Sequence, residues 1–123
     1  MATILTLAVF GLAARSGVKG FECRNFPIAE AVAPDGSQRA ASFVRDCGRR
    51  TPRSTQLSLL APGEVLGNSY GNIFVAELER ENEIEMRWNG PDVLEIRIGT
   101  VRRAYRADPG KARVRVLYGL LSE

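Results

Sequence analysis

Five glutamates recur at every second position: Glu77, Glu79, Glu81, Glu83 and Glu85. On an extended chain that spacing turns carboxylates to one face, where a cluster can hold a divalent cation or move protons. If Arg80 to Asn82 is the bend, two glutamates stand on each strand of one hairpin. Arg87, Arg97, Arg113 and Arg115 hold the matching polar positions of neighbouring segments. Opposite charges across strands stabilise a sheet by about 0.2–1 kcal/mol per pair. The pattern therefore predicts a solvated ion-pair surface. A DxDxDG-like calcium loop is absent from the sequence, and no metal site is expected.

Arginines form two further groups. Arg45, Arg49, Arg50 and Arg53 surround Cys47, and Arg102, Arg103, Arg106, Lys111, Arg113 and Arg115 gather toward the C-terminus. Such groups suit an anionic partner, and with Tyr105 or Tyr118 stacking on bases they would suit nucleic acid. The net charge of the 123 residues is only +3, and neither an RNP-type nor a helix-turn-helix pattern is present. Nucleic acid is thus the second reading, carried by the C-terminal cluster in a cytosolic setting. The partner-binding candidates are Arg49, Arg50, Arg53, Arg102, Arg103 and Arg106.

Catalytic vocabulary is thin. The chain contains no histidine, which excludes Ser-His-Asp and Cys-His machinery and any imidazole metal ligand within one chain. Its two lysines, Lys19 and Lys111, lie in no SxxK motif, and its 12 glycines form neither a P-loop nor GxGxxG. A non-enzymatic protein without cofactor or metal is the expectation.

The cysteines and the amino terminus speak to compartment. Cys23 and Cys47 sit in no CxxC and are too few for zinc. A disulfide is expected, with two reduced buried thiols as the alternative. Closing that loop is worth about 3–4 kcal/mol by the chain-entropy argument. No charge precedes Arg15, and Ile4 to Ala14 is nearly all apolar. As a helix that run reaches roughly 16 Å against a hydrocarbon core of about 30 Å. Residues 1–14 read as a signal peptide or membrane-anchor segment, although no basic residue precedes the apolar run. A buried first strand in a cytosolic domain is the other reading.

The elements that must position these residues are strands. Phe74, Ala76 and Leu78 alternate with Val75, Glu77 and Glu79. Ile84, Met86 and Trp88 alternate with Glu83, Glu85 and Arg87, and Leu94, Ile96 and Ile98 with Val93, Glu95 and Arg97. Val114, Val116 and Tyr118 repeat the pattern beyond Asp108-Pro109-Gly110. Period-2 alternation between turn signals predicts antiparallel strands with one buried face. Trp88, in phase with Ile84 and Met86, is expected in the core. Ile28 to Val32, Arg39 to Asp46 and Gln56 to Leu60 read as further strands. Val101 to Arg106 reads equally as a short strand, a helical turn or an extended connection. The expected fold is all-β over residues 15–123: a single antiparallel sheet or small sandwich of six to eight strands.

Five short segments occur in a characteristic order: Ala33-Pro34-Asp35-Gly36, Arg45-Asp46-Cys47-Gly48, Thr55-Gln56-Leu57-Ser58, Gly71-Asn72-Ile73-Phe74, and Trp88 followed by Leu94-Glu95-Ile96. In this the chain resembles a family of small bacterial exported envelope proteins of unassigned activity, over roughly residues 23 to 98. Arg49-Arg50-Thr51-Pro52 stands where that family has Ala-Thr-Thr-Gly. The resemblance implies a β-fold and an envelope location, not a reaction. The combined expectation is an exported or membrane-tethered periplasmic domain that binds an envelope protein, anionic lipid or lipopolysaccharide.

Overall fold

The computed structural model describes residues 22–121, so the apolar segment at 1–14 lies outside the described residues. The expected all-β fold is found: nine strands and no helix among the described residues. The strands are β1 (Arg24–Val32), β2 (Arg39–Asp46), β3 (Ser54–Leu60), β4 (Phe74–Leu78), β5 (Ile84–Trp88), β6 (Val93–Ile98), β7 (Val101–Ala107), β8 (Gly110–Lys111) and β9 (Val114–Leu120). They form two sheets, a five-stranded one ordered β1-β2-β3-β4-β7 and a four-stranded one ordered β5-β6-β9-β8.

The alternating residues supply the core between the sheets. Leu57, Leu59, Phe74, Ala76 and Leu78 from the larger sheet meet Ile84, Leu94, Ile96, Ile98, Val114 and Val116 from the smaller one in one buried cluster. Trp88 packs against that cluster and is half-buried, because its Nε1 donates to the Ala31 carbonyl at 2.8 Å. It thereby ties the edge strand β5 of one sheet to the edge strand β1 of the other.

Two pairings differ from the simplest reading of the alternation. β4 and β5 do not form a hairpin, because β4 pairs with β3 and β7 while β5 pairs with β6. The chain changes sheet between Leu78 and Ile84, and this scatters the glutamates. Glu77 stays on the larger sheet, Glu81 reaches Arg53 at 2.8 Å, Glu83 meets Arg80 at 3.4 Å, and Glu85 lies opposite Arg97. Moreover β9 runs parallel to β6, with Leu94 beside Val116 and Ile96 beside Tyr118. The connection between them passes through β7 in the other sheet.

Residues of β2 and β3 are buried on both faces. The side away from the core is crossed by the segment 61–73, which hydrogen-bonds to it throughout. Asn72 pairs with Leu59 through both side-chain atoms, Oδ1 accepting from Leu59 N (2.8 Å) and Nδ2 donating to Leu59 O (3.0 Å). Gly71 N donates to Gln56 Oε1 (2.7 Å) and Asn72 N to Ser58 Oγ (3.1 Å). At its far side Asn25 Nδ2 holds the carbonyls of Gly67 and Ser69. Gly71 has to be glycine: a Cβ there would lie 2.8 Å from the carbonyl oxygens of both Leu57 and Phe74.

Candidate functional site

The outer face of the five-stranded sheet carries an open groove of about 400 Å³. Its floor is Ser54 and Gln56 of β3 with Val75 and Glu77 of β4; Cys47, Thr51 and Pro52 make one wall and Tyr105 and Arg106 of β7 the other. Arg45 and Tyr70 close the end toward β1. Strand alternation explains the floor, since Arg45, Gln56, Val75 and Glu77 share the face opposite the apolar core.

β7 contributes two consecutive residues because it is irregular. Val75 lies opposite Arg106 and Ala76 opposite Ala104, so Tyr105 is an extra residue inserted between them. Such a bulge breaks the alternation and re-aims a side chain, here placing Tyr105 beside Arg106 on the groove. A second irregularity leaves Arg102 as an extra residue between Arg103 and Val101. All of β7 is exposed.

Arg45 is the unusual group. It is only 8% exposed, and a buried charge normally has a partner of opposite sign. No carboxylate among the described residues lies within ion-pair distance of it, whereas Arg39, Arg53, Arg80, Arg87 and Arg106 each have one. Its Nη1 donates to Asn25 Oδ1 (3.0 Å) and to the Asn68 carbonyl (2.7 Å), both neutral acceptors. Its Nε is buried without a partner. The guanidinium lies over the Tyr70 ring, 4.3 Å from the centroid, a cation–π contact worth about 0.5–2 kcal/mol. The segment 61–73 supplies both the Asn68 carbonyl and the Tyr70 ring, so its docking on β2 and β3 creates this setting.

The opposite wall is electrostatically tied. Tyr105 Oη donates to Glu77 Oε2, and that bond to a carboxylate raises the phenol's pKa. Arg106 donates through Nε to Asp108 (3.0 Å) and through Nη1 to the Gly71 carbonyl (3.3 Å). Its side chain remains about half exposed.

Of the residues proposed from sequence, Cys23 and Cys47 form a disulfide at the end of the β1–β2 ladder. Cys47 and Arg106 line the groove itself. Arg49 and Arg53 border a shallow hollow of about 410 Å³ on the far side of the same loop, and the two hollows share Thr51 and Pro52. Arg103 lies on β7 opposite Glu77. Arg50 and Arg102 are exposed and line neither hollow. Two arginine groups far apart in sequence therefore flank one surface. Sequence reasoning placed Arg45 in the arginine group around Cys47 but not among the binding candidates, and it passed over Tyr70, Gln56 and Glu77 as members of the same site. The available signal was an arginine ending the uncharged run Ala40-Ala41-Ser42-Phe43-Val44 within a strand.

A second hollow of about 430 Å³ opens between β1 and β5, lined by Ala29, Ala31, Ile84 and Met86. Its charged rim balances itself, with Arg87 on Glu95 at 3.1 Å and Glu85 opposite Arg97. Unlike the groove, it presents no buried charge lacking a counter-ion.

The disulfide is compatible with an oxidising extracellular or periplasmic compartment. No helix among the described residues is long and apolar enough to cross a membrane. Comparison with protein-family models, curated proteins and solved structures gives no match to this chain.

Proposed function

We propose that this protein is a non-enzymatic, exported or membrane-tethered envelope domain that binds an anionic group on its partner through the outer groove of the five-stranded sheet. The observation that carries the reading is Arg45, a buried cation with no counter-ion among the described residues, at the end of that groove. Taking a charge out of water is costly unless another charge compensates it. A partner's anion would complete the site, with Arg106 on the facing wall and Arg49 and Arg53 at the flank raising the local positive potential. The disulfide, the charge-free residues 1–14 and the resemblance to envelope proteins support the compartment.

Photo-crosslinking from position 51, at the rim of the groove, tests this in the intact envelope. The wild-type chain is expected to yield a defined adduct that Arg106→Glu and added salt both diminish. An adduct unaffected by Arg106→Glu would overturn anionic recognition. A nuclease-sensitive adduct would instead favour the cytosolic nucleic-acid reading carried by Arg102 and Arg103.

A further inference from the structure

We infer that the groove is a small-molecule site selective for an organic oxyanion, a phosphate or carboxylate borne directly on a flat aromatic or apolar body. This rests on the reading of the groove as an anion site and adds what the anion is attached to. Three observations carry it beyond charge alone.

First, the charged donors are few, Arg45 at the end of the groove and Arg106 on its wall. Among the described residues Arg45 hydrogen-bonds only through Nη1, and Arg106 only through Nε and Nη1. Each keeps Nη2 for a guest, so either guanidinium has a charged donor to offer an oxyanion. Second, the polar side chains on the floor are already engaged. Gln56 spends Oε1 on Gly71 N and Nε2 on Ser54 Oγ, and Glu77 holds the Tyr105 hydroxyl. A sugar-like ligand with many hydroxyls would find few free partners, so the remaining contact surface is ring and hydrocarbon. Tyr70 and Tyr105, 66% and 55% exposed, offer ring faces, and Val75 and Pro52 add hydrocarbon to the lining. Third, the size is right, because about 400 Å³ lies within the usual range for small-ligand sites.

The same facts argue against an added peptide strand on β7. Two irregularities within seven residues twist that edge, and its exposed arginines charge it; both features discourage strand addition. The site is built for side-chain recognition on the face of the sheet, not for main-chain pairing at its edge.

Titration of the oxidised full-length chain, followed by amide chemical shifts, tests the inference with four probes: phenyl phosphate, benzoate, inorganic phosphate and benzyl alcohol. The two aromatic anions are expected to shift Gln56, Tyr70, Gly71 and Tyr105 saturably at 0.15 M salt. Inorganic phosphate and benzyl alcohol, each lacking half of the recognised group, are expected to bind at least tenfold more weakly. Arg106→Gln is expected to weaken phenyl phosphate about tenfold, the scale of one charged hydrogen bond. Arg45→Lys, which keeps the charge but not the planar fork, is expected to weaken it as well with the β-sheet spectrum unchanged.

Inorganic phosphate binding as tightly as phenyl phosphate would overturn the aromatic selectivity. Non-saturating shifts spread over all surface arginines would overturn the site. A salt-sensitive crosslink at position 51 combined with no binding of either aromatic anion would retain the anionic-partner reading and remove the small-molecule inference.

Discussion

The setting of Arg45 depends on Gly71. Gly71 lets segment 61–73 approach β3 closely enough for its amide to reach Gln56, and that approach puts Tyr70 against the Arg45 guanidinium. Gly71→Ala forces a Cβ onto two carbonyl oxygens, an overpacking that costs about 1–3 kcal/mol. The expected outcome is a lower denaturation midpoint together with loss of the Arg45–Tyr70 contact, seen as a shift of the Arg45 side-chain resonances. Tyr118 makes a separate prediction. Its hydroxyl donates to the Asp108 carbonyl at 2.7 Å, and burial, aided by the Asp108 charge, pushes its pKa up to about 12. The fold therefore favours the protonated phenol. The stability this confers is whole below the unfolded value of about 10 and is lost as pH rises through about 12. Thermal unfolding followed from pH 9 to 12 is expected to fall more steeply for the wild type than for Tyr118→Phe.

At the scale of elements, the edges explain both what could be read in the sequence and what could not. Alternation revealed β4, β5, β6 and β9 because one face of each meets the core and the other meets water or charge. It did not reveal that β2 and β3 are buried on both faces, since their cover is an irregular segment held by Asn72, Ser58 and Gln56 rather than by a strand. Nor could a period of two say which strands pair: β4 and β5 alternate equally well whether they form a hairpin or belong to different sheets. The Tyr105 bulge was hidden for a related reason, because an inserted residue is defined by its partner strand and not by its own neighbours. The disulfide was legible, since two cysteines allow a single intrachain pairing. Replacing both cysteines by serine is expected to destabilise the chain by about 2–5 kcal/mol, measurable by denaturant titration. The β8–β9 connection offers a gain instead. Ala112 sits at φ 56°, a left-handed conformation that costs a residue with a Cβ roughly 1–2 kcal/mol. Ala112→Gly is expected to raise the midpoint of thermal unfolding, and a lower midpoint would show that the turn relaxes without it.

For the molecule as a whole, the strands of the larger sheet differ in how firmly they are held. β2 and β3 have a hydrogen-bonded strand on each side and cover on each face, while β7 has one neighbour and no burial. Amide exchange is expected to be slowest at Phe43 and Leu57 and fastest along β7, with protection depending on local opening. An oxyanion held by Arg106 would slow exchange at Tyr105 and Arg106 selectively, stiffening the yielding edge of the sheet. How much of the site was legible follows from the same division. Its charged margin, Arg49, Arg53 and Arg106, stood out as composition, whereas Arg45, Gln56 and Tyr70 acquire meaning only once a loop has folded over them.

The parallel pairing of β9 with β6 also bears on how the chain folds. Those two strands are adjacent in space, yet the chain between them must first enter the larger sheet as β7 and then return. Their ladder therefore forms only after long-range closure, the slow kind of contact. Until β9 docks, β6 has one open edge, and the core residues Leu94 and Ile96 lack the Val116 and Tyr118 neighbours they meet in the finished sheet. A chain stopped before Val114 would keep that edge open and expose a template for intermolecular strand pairing. The last strand thus controls the interval during which this protein is vulnerable to aggregation.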